Sequence, residues 1–199
     1  MMKQITLIFC CIIFSLTNLI AQDMKTNDLP YSQIPEYPDS YTAGSVAARL
    51  IDGLGFRYYW ATEGLRTEDL AYKPSEKGRT CGETIDHLYG LSNVIVNATT
   101  KTVNDRSVAR LELNYEEKRK KTLQNFKEAS DILRESKDLS AYKIVFKNEK
   151  GSVEYPFWNN INGPIADAIW HTGQVVLLRR ASGNPFNSKV SVFNGKVRE

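Results

Sequence analysis

His87 and His171 are the only histidines in this 199-residue chain, and each falls in a segment with helical spacing. Asp167 lies four residues before His171, so the two side chains share one face of a helix. Two imidazoles and a carboxylate aimed into one apolar interior form a donor set for a divalent ion such as zinc, nickel or iron. Three protein ligands leave coordination positions open, as a catalytic metal needs, and an ion held there could polarise a substrate oxygen or activate water. A lone interior histidine is more often a hydrogen-bonded core residue than a ligand, so the joint pattern carries the reading. The structural alternative pairs Asp167 with Arg49, Arg57 or Arg179, because a carboxylate on an apolar stripe needs a partner.

Two further residues adjoin the set. Glu83 lies one turn before His87 and is a candidate general base or fourth ligand. Thr80 stands three residues before it, so a capping box is the competing role. Gln174 lies one turn beyond His171 and is a candidate to hydrogen-bond a ligand or bound water. Cys81 sits at a helix start but points away from His87 and reads as structural. Tyr58, Tyr59 and Trp60 read as core. Asn97-Ala98-Thr99 matches a glycosylation acceptor, a motif common by chance.

These residues need helices to hold them. From Tyr41 to Leu65, Val46, Ala47, Leu50, Leu54, Tyr58, Ala61 and Leu65 recur at three- and four-residue steps, with Gly53 and Gly55 permitting close packing. Residues 66–78 form a connector. A second helix opens at Thr80 and runs to Ala98, with Glu83, His87, Leu91, Val94 and Ala98 on one stripe. Residues 99–113 make a long crossover. A third helix covers Tyr115 to Ser136, burying Leu123, Phe126, Ala129, Ile132 and Leu133. Ile144–Phe146 and Val153–Tyr155 flank a turn and predict a β-hairpin. A fourth helix spans Phe157 to Ala181, kinked or restarted at Pro164. It is apolar on most sides, with Ile169 and Val176 on its back, which predicts a homodimer interface. The fold class is therefore an all-α four-helix bundle over residues 41–183, with an extended arm at 23–40 and a tail at 184–199. Such bundles build metal sites from facing helices.

Residues 1–22 read as a secretory signal: Lys3, an apolar run from Ile5 to Ile20, and a cleavage point after Ala21 or Gln22. A retained anchor is the alternative, but the run is short for a spanning helix. The expectation is export to the periplasm or beyond, with no stable membrane anchor. Lys3 is the signal's sole charge, so its removal lowers the formal charge from +3 to +2. That near-neutral balance, with no basic stripe among aromatics, argues against nucleic acid as a partner. Cys81 is then the one remaining cysteine, so no internal disulfide can form.

The order and spacing of these motifs resemble the DinB/YfiT-like metalloenzymes. Thr80, Glu83, His87 and Leu88 match the first motif. His171, Gly173, Gln174, Leu178, Arg179, Arg180 and Gly183 match the last helix. Gly64, Leu65, Glu68, Asp69, Leu70, Tyr72 and Pro74 match the connector. The resemblance covers residues 41–183. It implies a DinB-like four-helix bundle and a metal-dependent enzyme acting on a small molecule, by hydrolysis or by thiol-transferase-like chemistry. The family's last helix carries His-x-x-x-His, and here Asp167 replaces the earlier histidine. The set becomes two histidines and one carboxylate, a harder site that is still chemically complete. A non-catalytic metal- or ligand-binding bundle of the cell envelope is the second reading.

Overall fold

Capping side chains start three of the four long helices in the computed structural model, which describes residues 29–109 and 111–199. The segment read as a signal, and the arm before residue 29, lie outside the described residues. Thr42 accepts from the Ser45 N–H (3.0 Å) and opens α1 (Ala43–Thr62). A one-turn helix, α2 (Thr67–Ala71), follows, and Thr80 then opens α3 (Cys81–Thr100). Asn114 opens α4 (Tyr115–Arg134) by the same reciprocal bonding with Glu117. The last long helix, α6 (Ala166–Ala181), has no side-chain cap. It continues from a short helix, α5 (Phe157–Asn160), through a π turn at Ile161–Ile165. The fourth expected helix is thus broken where Pro164 predicted a kink, and Gly163 takes the non-helical backbone there (φ −98°, ψ −105°).

Side-chain contacts fix how the helices run. Lys118 Nζ meets Asp86 (2.7 Å) and Asn125 donates to Ser92 Oγ (3.0 Å), so α3 and α4 run parallel. Arg119 reaches Thr62, whereas Ser130 reaches Ala48, so α1 and α4 run antiparallel. Arg179 meets the end of α1, which makes α1 and α6 parallel. Parallel neighbours require a connection that returns along the bundle. Residues 101–114 do this: at roughly 3.3 Å per extended residue they can span the roughly 30 Å of a twenty-residue helix. The expected crossover between the second and third long helices is present. α1 packs against α4 and α6, and α3 packs against the same two helices.

The shared core comprises Ala48, Ile51, Leu54 and Tyr58 from α1, with Ile85, Leu88 and Ile95 from α3. Leu123, Phe126, Ala129 and Leu133 come from α4, and Ala168, Val175 and Leu178 from α6. Tyr58 and Phe126 meet edge to face with centroids 6.0 Å apart. Two α1 residues expected in the core, Val46 and Leu50, are exposed, because Ala48 and Ile51 define a stripe rotated from the expected one. Cys81 is buried, and burial pushes its thiol up to about 11, consistent with a structural role. Tyr58 lies in the core, Arg119 stacks over Tyr59, and Trp60 donates to the Ser32 carbonyl, so these aromatics are scaffold.

A three-stranded sheet covers one end: β1 (Asn104–Asp105) pairs in parallel with β2 (Ile144–Asn148), which pairs antiparallel with β3 (Gly151–Tyr155). The arm docks on α1. Tyr31 donates to Asp52 (3.1 Å), which also accepts from Ser130 (2.5 Å) and Arg134 (2.7 Å), so that buried carboxylate is fully partnered. Ile34 joins the tail, whose strands β4 (Val190–Ser191) and β5 (Lys196–Val197) form a small ladder. Phe56 and Val190 pack with Ile34. No helix among the described residues is long and apolar enough to cross a membrane.

Candidate metal centre

The antiparallel packing of α3 and α6 brings the three expected ligands together. His87 Nε2 lies 3.0 Å from Asp167 Oδ2, and His171 Nε2 lies 3.3 Å from Asp167 Oδ1. The imidazole rings meet edge to face with centroids 4.5 Å apart. One ligand atom from each residue falls within 4.8 Å of the others. Neighbouring ligands around a tetrahedral zinc ion stand about 3.3 Å apart, given bonds of about 2.0–2.1 Å, so donor atoms within 4.8 Å of one another could close on a small divalent ion by side-chain adjustment.

Gln174 adds the next layer of support. His171 Nδ1–H donates to its carbonyl oxygen (2.7 Å). Metal-binding histidines generally donate their distal N–H in this way, which fixes ring orientation and tautomer. The tautomer is assigned from the bonding pattern. It leaves Nε2 of a neutral His171 facing Asp167 with a lone pair. Two electron-rich atoms at 3.3 Å repel unless a proton or a cation lies between them.

Exposure departs from expectation. The side chains of His87, Asp167 and His171 retain 36%, 39% and 17% of their accessible surface, so the cluster opens to solvent and is not sealed in an apolar interior. This follows from its place on the flank of α3: the stripe that faces the core carries Ile85, Leu88 and Ile95, and His87 sits beside it. An open cluster is accessible to small molecules.

The arginine alternative for Asp167 finds no support among the described residues. Arg49 donates to the Pro35 carbonyl (2.6 Å) and Arg57 to the Gly53 carbonyl (2.9 Å). Arg179 donates to the carbonyls of Ala61 (3.0 Å), Glu63 (3.0 Å) and Asn184 (2.8 Å). Glu83 is not brought to the cluster. Its carboxylate accepts the Thr80 N–H (2.7 Å), and that bond holds its pKa below the usual value. The capping role therefore accounts for Glu83. Asn97 donates to Asn104 (2.9 Å) and Thr99 is buried, so the glycosylation motif is part of a packed helix.

Sequence reasoning missed a second polar cluster. Buried Asp69 accepts from Arg66 (2.8 Å), Ser182 (2.6 Å) and Asn184 (2.6 Å), joining α2 to the end of α6. Together with Arg179 it occupies the connector and Leu-Arg-Arg positions of the resemblance. The signal was present in Asp69 three residues after Arg66 and in Ser182-Gly183-Asn184. Its meaning depends on a contact across more than a hundred residues. The chain matches no family model, and neither curated proteins nor solved structures give a match.

Proposed function

We propose that the chain is a divalent-metal-dependent enzyme of the DinB-like superfamily acting on a small molecule, with His87, Asp167 and His171 as metal ligands. One observation carries this reading: three donor atoms from two helices converge within 4.8 Å at a solvent-open position. Gln174 supports it by orienting His171. When bound there, a divalent ion supplies Lewis acidity toward a substrate oxygen, water or thiol. The chain's own residues hold and orient the ion, and α3 and α6 keep the donors in register. The reading extends to an exported homodimer with a hydrolase or thiol-transferase-like activity. The same centre in a non-catalytic binding protein is favoured by one observation, the commitment of Glu83 to its helix cap.

The test is metal content by mass spectrometry on protein purified without chelators or a His tag, beside His171→Ala. Near-stoichiometric zinc, nickel or iron in the parent and its loss in the variant are expected. No metal in either protein after addition of divalent ions would overturn the reading and leave the cluster as a proton-sharing polar contact.

A further inference from the structure

The β2–β3 hairpin, Arg106 and the π turn enclose a cleft of about 530 Å³, within the range of small-molecule sites. Its charge is one-sided. Arg106 and Lys150 line it, and no carboxylate does. Two acids of the same sheet are engaged elsewhere: Asp105 pairs with Lys147 (3.0 Å) and Glu154 with Lys143 (2.8 Å). The Arg106 guanidinium lies 4.8 Å from the Phe146 ring centroid, an arrangement that leaves its in-plane N–H edge for a planar anion. Phe146 meets Tyr155 edge to face with centroids 6.3 Å apart, which adds an aromatic wall. Pro164 lines the cleft and precedes Asp167 by three residues. Pro164 belongs to the π turn and Asp167 to the first turn of α6, so the cleft and the proposed metal ligands adjoin along the chain.

We propose that this cleft seats the anionic end of the substrate, an organic carboxylate with a flat apolar body, and presents its other end to the His87–Asp167–His171 centre. The assignment rests on the metal-centre reading above. It differs from a generic surface patch in two respects: its cations lack ion-pair partners among the described residues, and its wall is aromatic.

The probes are 2-naphthoate and its neutral counterpart 2-naphthamide, titrated into zinc-loaded and cobalt(II)-loaded protein and followed by amide NMR. Naphthoate should shift the amides of residues 146–153. The double variant Arg106→Ala/Lys150→Ala should bind naphthoate at least tenfold more weakly and naphthamide within twofold of the parent. Its amide spectrum reports whether the bundle is intact, and Lys150→Glu on the exposed turn serves as a second, milder variant with the same expected direction. Cobalt should broaden the naphthoate protons, and zinc should not. Shifts mapping elsewhere, or equal naphthoate affinity in the variants, would overturn the cleft assignment while leaving the metal reading intact. Mapped binding without broadening in protein that demonstrably holds cobalt would overturn the link between the two sites. Failure to take up cobalt, measured on the same samples, would identify the metal reading as the part that failed and remove the link with it.

Discussion

Gln174 tests the centre more selectively than a ligand does. It touches His171 Nδ1 and leaves the three donor atoms in place. Gln174→Leu keeps similar bulk but removes the acceptor. Zinc affinity, measured by chelator competition, should fall about 10- to 100-fold with unchanged circular dichroism. Unchanged affinity would mean that the imidazole is oriented by packing alone. The two histidines and Asp167 were legible because four-residue spacing and rarity single them out before any fold is known. The openness of the centre was not legible. A helical wheel ranks residues by direction and cannot say where the neighbouring helix ends, so it placed His87 inward when it stands on the flank of α3.

At the scale of elements, three helices and the hairpin followed from periodicity, capping side chains and turn residues. α2 was missed because one turn carries no periodicity. The sliding of the α1 stripe had a specific cause: Val46 and Leu50 fit the three-and-four rhythm as well as Ala48 and Ile51 do, and only packing against α4 decides between them. Gly55 shows packing overriding propensity. A methyl group there would run into the Tyr31 ring, which sits against α1 at a left-handed backbone position (φ 77°). Gly55→Ala should gain up to about 1 kcal/mol of helix propensity yet lower the midpoint of thermal unfolding, because it displaces the arm from Asp52. A raised midpoint would show that the arm contributes little.

At the scale of the molecule, Asp69 ties the bundle's connector to its last helix. The Arg66 guanidinium, helped by Ser182 and Asn184, holds its carboxyl well below the usual carboxylate range. A depressed folded-state pKa contributes stability above the unfolded value of about 3.9 and loses it as pH falls below that value. Asp69→Asn should therefore cost about 2–4 kcal/mol at pH 7, and its deficit against the parent should shrink below about pH 4 in chemical denaturation. A deficit that holds steady to pH 3 would contradict this. Association belongs to the same scale. Ile169 and Val176, expected at a dimer interface, are partly buried against the bundle's own core, whereas Trp170 and Leu177 are 72% and 66% exposed on the outside of α6. If the homodimer uses this helix, Trp170→Arg with Leu177→Arg should halve the mass in light scattering, and an unchanged mass would exclude that face.

The π turn at Ile161–Ile165 gives the molecule a phase relation. Each helical residue turns the chain by about 100°, so adding or removing one residue there would put α6 out of phase with α5, which is held by buried Phe157, and with the hairpin, which is held by its pairing with β1. Asp167 and His171, two of the three proposed ligands, follow this joint, and the aromatic hairpin precedes it. The phase between that pair and the hairpin is therefore set within five residues, and a chain of different length at this point would present Asp167 and His171 to His87 and to the cleft at a different angle.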